Sequence, residues 1–230
     1  MSEVYVVVEG NTERTFIRDI LAPYLAQNGV YLHASEIGKI KHKGGQVNID
    51  RAKKDVTNYL KQRSDIYVST MFDFFGIDSK WPGKNEVDKE KKRNNQLTAS
   101  DKAEILEKAT LDFFLREYPK LNAEKRLIPY ISMHEFEALL FSNQVILSEA
   151  IGVNVSDVSK LVGKYVCPED INEDPQKAPS KILEQLQKRY KKVNMGSDIA
   201  RKIGLSTIRS QCPHFDRWIS KLESLASLVI

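Results

Sequence analysis

Cysteine is scarce: Cys167 and Cys212 are the only two in 230 residues. They make neither a metal-binding spacing nor a disulfide framework, so a thiolate metal centre and a disulfide-stapled fold are excluded and reduced thiols are expected. No apolar run approaches the roughly 18–20 residues needed to span a bilayer. Glu3 stands where a secretory leader would carry positive charge, and the apolar stretch behind it covers only residues 4–8. Tryptophan is limited to Trp81 and Trp218, and there is no internal repeat. These absences point to a cytoplasmic protein with no membrane segment.

What is present suits a folded chain. Hydrophobic residues make up 41% and charged residues 29%, enough for one sizeable core with or without a small appended region. The net charge of +4 is unevenly spread. Residues 177–209 hold nine basic side chains (Lys177, Lys181, Lys188, Arg189, Lys191, Lys192, Arg201, Lys202 and Arg209) against Glu184 and Asp198, a local +7 that leaves −3 for the rest. Clustered cations beside a more acidic body are the expected footprint of a nucleic-acid partner, although solvated helix faces give the same count.

Along the chain, residues 4–8 read as a buried strand, broken by Gly10-Asn11. Helical spacing follows from Thr12, with Asn11 or Thr12 as its cap and Pro23 as a kink or stop. Further strands are expected at 31–37, 65–75 and 127–133, the last interrupted by Pro129. Helices are expected at 47–62, at 100–117 with Ser100 as cap, at 180–191, at 197–203 and at 214–228. Residues 39–46 read as a basic loop and 76–96 as a long mobile loop. His134 opens a helix or turn, and 168–179 is a polar connector. Alternation of strand and helix implies an α/β fold: a mostly parallel sheet flanked by helices over residues 1–145, with a helical C-terminal region, 146–230, packed on it.

The acids fall where such a sheet does its chemistry. Glu9 closes the first strand and Asp73 the third, each directly ending an apolar run where a charge is out of place unless paired or metal-bound. Glu135 and Glu137 follow the last strand, and Glu13 lies four residues beyond Glu9. Carboxylates gathered at one rim repel unless a cation sits between them, and hard divalent ions such as Mg²⁺ or Mn²⁺ take oxygen ligands of this kind. Taken singly, Glu13 also suits the first turn of a helix, and Glu135 or Glu137 a solvated helix face.

At these residues the sequence resembles the Toprim family, the domain shared by topoisomerases, primases and overcoming-lysogenization-defect nucleases. Val7-Val8-Glu9-Gly10-Asn11-Thr12-Glu13 is similar to the family's first motif, and Asp73 takes the place of the first aspartate of its Asp-x-Asp motif. Residue 75 is Phe where the second is expected, with Asp78 further along as a substitute. Residues 70–76, 133–141, 203–209 and 212–215 resemble small stand-alone bacterial Toprim-like proteins catalogued as a domain of unknown function. The resemblance implies a Toprim core, Mg²⁺-dependent chemistry on DNA or RNA, and an AAA-type ATPase partner in anti-phage defence.

The leading expectation is a metal-dependent nuclease. Glu9, Asp73 and one of Glu135 or Glu137 would hold one or two Mg²⁺ (or Mn²⁺) ions, with Glu13 and Asp78 as further ligands. Lys181, at a helix start, would neutralise the phosphate, and Lys188, Arg189, Lys191, Lys192, Arg201, Lys202 and Arg209 would hold the nucleic acid. Trp81 in the 76–96 loop is a candidate for stacking on a base, His134 for acid–base work, while His214 and Trp218 read as core. A homodimer is one assembly to test. The alternative is a non-catalytic regulatory or sensor subunit that binds nucleic acid or the ATPase, supported by the missing acid at position 75.

Overall fold

The computed structural model describes residues 1–38, 46–94, 97–171, 174–190 and 192–228; most of the expected 39–46 loop lies outside them. The chain opens with β1, Ser2–Val8, whose four valines are all buried. Gly10 precedes α1, Asn11–Phe16, and its N–H is capped by the Glu13 carboxylate at 3.1 Å. A π-helical turn, Ile17–Leu21, leads straight into α2, Ala22–Ala26. Pro23 therefore does not stop the helix: it sits in the first turn of α2, directly after the widened turn, where its missing N–H is tolerated.

Then come β2, Val30–Glu36; α3, Ile49–Gln62, capped by the Asn48 side chain; and β3, Tyr67–Asp73. The expected mobile loop contains α4, Lys84–Arg93. Trp81 just before it is buried, donating Nε1–H to Thr110 Oγ1 at 2.9 Å, so it packs and is not available to a base. The next helix, α5, Ala99–Glu117, is capped by Thr98 and not Ser100, because Thr98 and Asp101 exchange side-chain and backbone bonds.

Short α6, Ala123–Arg126, precedes β4, Leu127–Ile128, and β5, Ile131–Ser132, which Pro129 separates. A 3₁₀ helix, Phe136–Ser142, follows. The remainder is helical: α7, Gln144–Ile151; α8, Val155–Val162; α9, Pro179–Leu186; α10, Lys192–Ile203; α11, Leu205–Gln211; and α12, Pro213–Ser224. The polar connector carries two short 3₁₀ turns, Pro168–Asp170 and Pro175–Lys177. Among the described residues no helix is long and apolar enough to cross a membrane.

The sheet order is β2-β1-β3-β4, with β5 also on β3, and every pairing is parallel. This is the α/β fold expected, with cores on both faces. Val4, Val6 and Val8 of β1 share one core with α1, α2 and the helices from α7 to α12; Val7 faces the other, made with α3, α4 and α5. Alternate β1 side chains thus feed opposite layers.

Candidate functional site

Strand order fixes where a ligand would find a crevice. From β1 the chain first moves to β2 over one face of the sheet, then returns past β1 to β3 over the other, so the order reverses between β1 and β3. Open parallel sheets bind ligands outside the carboxyl ends of their strands at such a switch point. Val8 pairs with Met71, which puts Glu9 level with Phe72 and one residue from Asp73 on the adjacent strand. Adjacent strands lie about 4.8 Å apart.

The Glu9 carboxylate folds over the turn that follows Asp73. Gly76 N–H donates to the Asp73 carbonyl at 2.9 Å to close that turn. A Cβ on Gly76 would stand 2.7 Å from Glu9 Cδ and 2.9 Å from its Oε1, so any side chain there would push the Glu9 carboxylate out of its present position. Asp73 is 5% exposed and its Oδ1 accepts from Phe136 N–H at 2.9 Å. That bond docks the 3₁₀ helix after β5 onto the same edge.

The docking separates Glu135 from Glu137. With about three residues per turn, side chains two apart point well away from one another. Glu135 Oε2 accepts from Ser180 N–H in the first turn of α9 at 3.0 Å, whereas Glu137 is fully buried. Glu13 is also buried, turned back onto Gly10 N–H. Asp78 makes a local turn, Oδ1 accepting from Lys80 N–H at 3.0 Å. Lys181, beside Ser180, bonds Glu184 at 2.8 Å from a half-exposed position.

The rim next to Asp73 is aromatic and cationic, which the sequence did not signal. His134 is 1% exposed and lies flat on Phe75, ring centroids 5.3 Å apart, with Phe74 edge-on. Burial pushes its pKa down to about 3, which favours the neutral imidazole at physiological pH. Lys84 Nζ donates to the Phe74 carbonyl at 3.0 Å and stands 3.5 Å over the Phe74 ring. Burial lowers Lys84 and the enclosed Lys102 to about 8. Lys84 sits in a charged stretch with no periodicity to mark it.

The expected nucleic-acid cations divide. Lys188, Arg189, Arg201 and Lys202 are exposed. Arg209 is spent inside the fold: it pairs with Asp216 at 2.5 Å and Glu223 at 2.6 Å and donates to Tyr24 Oη, with 19% of its side chain exposed. Lys191 lies outside the described residues, and Lys192 is described only as the start of α10.

Among the described residues no three His, Cys, Asp or Glu side chains gather to hold a metal. A dedicated protein cage is not what Mg²⁺ uses in phosphoryl chemistry, where one or two carboxylates, waters and substrate oxygens complete the shell. Glu9 and Asp73 are two carboxylates on adjacent strand ends, the number such a smaller donor set calls for. A family model described as a domain of unknown function, DUF4276, matches residues 8–223. The chain belongs to the DUF4276 family. The matched span runs from the last residue of β1 into α12 and so covers both carboxylates. No curated protein and no solved structure matches the chain.

Proposed function

We propose that this DUF4276 protein is a Toprim-like, Mg²⁺- or Mn²⁺-dependent phosphodiesterase acting on DNA or RNA in the cytoplasm, with an AAA-type ATPase as partner in anti-phage defence. One observation carries the catalytic part of this reading: Glu9 and Asp73 end adjacent parallel strands at the switch point, with Glu9 seated over the Gly76 turn. Glu9 and Asp73 would hold the metal. When bound, it supplies charge neutralisation at the phosphodiester and a polarised water. The Phe136 N–H holds Asp73 Oδ1, and the Glu9 carboxylate rests against Gly76, which has no side chain to displace it. His134, neutral and enclosed, braces Phe75.

The test is cleavage of single-stranded DNA, duplex DNA and tRNA by the purified chain with Mg²⁺, Mn²⁺ or EDTA, alone and with its ATPase partner. Metal-dependent cleavage is expected, falling in Glu9→Gln and Asp73→Asn by more than the roughly 10–100-fold of an outer-shell change. Cleavage that persists in both variants, or in EDTA, ends the reading. A regulatory subunit is the second reading, favoured by the lack of a three-ligand group among the described residues and by Phe75 in the second acid's place; tight binding with intact substrate under every condition would establish it.

A further inference from the structure

A polar cavity of about 450 Å³ opens between α10 and the helix formed by α1 and its π turn. It begins at Asn11, two residues past Glu9, and Arg14, Arg18 and Arg201 line it. Each guanidinium has an acid nearby: Arg14 with Glu36 at 2.9 Å, Arg18 with Asp19 at 2.5 Å, and Arg201 with Asp198 at 2.9 Å. These pairs are exposed, with 44–58% of each arginine side chain in solvent, and exposed pairs hold their partners weakly. A phosphate offers the same forks a stronger, bidentate match. Ser197 is the independent sign of a ligand. It lines the cavity at 3% exposure, and its Oγ has no hydrogen-bond partner among the described residues. A buried hydroxyl without a partner calls for one, and a ligand oxygen or a bound water reaching it from the cleft would supply it.

We propose that this cleft grips the sugar–phosphate backbone of a single nucleic-acid strand as it leaves the Glu9 edge, with Arg14, Arg18 and Arg201 on its phosphates and Ser197 as an added donor. The inference deepens the phosphodiesterase reading and rests on it for the path of the strand, but it is tested by binding alone.

The probe is a fluorescein-labelled 12-nucleotide single-stranded DNA, titrated by anisotropy in EDTA across a series of salt concentrations. Losing two phosphate contacts in Arg18→Gln/Arg201→Gln should make the plot of log affinity against log salt shallower by about 1.4, at about 0.7 per contact. Ser197→Ala should weaken binding about fivefold without lowering the melting temperature, since it removes a donor that no described group satisfies. An unchanged slope in the double variant, no binding by the wild-type chain, or displacement by inorganic phosphate regardless of strand length overturns the proposal. Normal arginine-dependent binding with no cleavage under any metal would sink the nuclease reading and leave this cleft standing; cleavage with an unchanged slope would do the reverse.

Discussion

His134 and His214 are both buried, yet their surroundings drive them in opposite directions. His134 lies against the Phe74 and Phe75 rings, and burial, helped by the Lys102 cation and only partly opposed by Asp170, holds it near pKa 3. Burial also works against charge on His214, but Glu107 at 2.8 Å and Glu169 at 3.7 Å outweigh it and raise the pKa to about 9. Below pH 6.5 the unfolded chain takes up a proton that folded His134 refuses, so stability falls by about 2 kcal/mol between pH 6.5 and 5. The His214 contribution is fully present below pH 6.5 and is lost as pH rises through 9, a decline of about 3 kcal/mol. Urea midpoints should therefore peak near pH 6.5, His134→Phe should flatten the acid limb, and His214→Gln the alkaline one. A wild-type profile level from pH 5 to 9 would contradict both assignments. Little of this was legible beforehand. Glu9 and Asp73 stood out because a charge ending an apolar strand has few innocent explanations. His214 reads as core from its four-residue spacing to Trp218, and nothing in that spacing reveals Glu107 and Glu169, which arrive from other elements.

Among the elements, those with apolar periodicity were readable and those held by a single anchor were not. α3 and α5 bury a regular row of side chains, and their ranges follow the sequence pattern closely. α4 buries only Val87, in a run otherwise composed of charged and polar residues, so no pattern announces it. Its start depends on Gly83 at φ 88°, with Ala109 and Ile105 of α5 close against the glycine. Arg126 is a joint of the same hidden kind. Its guanidinium donates to the carbonyls of Ile66 at 2.9 Å, Leu60 at 3.1 Å and Leu121 at 3.4 Å, and also to that of Arg63. It thereby ties the end of α3, the entry to β3 and the approach to β4. Arg126→Met keeps the stem but strands those carbonyls, all four in buried or part-buried bonds, and should cost about 2–4 kcal/mol. A urea midpoint within error of wild type would show that water serves them equally well.

Over the whole molecule, the helices from α7 to α12 pack with α1 and α2 in one common core. Phe215, Trp218 and Leu222 of α12 belong with Val4, Val6 and Val8 of β1. Trp218 Nε1–H donates to Ser69 Oγ on β3 at 2.9 Å, and Ser2 Oγ–H to the Leu225 carbonyl at the same distance. Sequence alone placed a helical region on a sheet; it did not show that the region shares one face with α1 and α2, because contacts between β1 and α12 join the two ends of the chain. A fragment ending at residue 145 would expose that face and should show no cooperative unfolding transition, whereas the full chain should melt in a single step. A sharp transition in the fragment would establish an independent domain.

The two indoles divide between the layers, Trp81 on the α5 side of the sheet and Trp218 on the α12 side. Nature has thus installed one intrinsic fluorophore per hemisphere, and replacing either by Phe leaves a dye that watches the other half alone. Emission from the Trp81 side, close to the strand-end carboxylates, would register an ion or oligonucleotide arriving there without any label being attached.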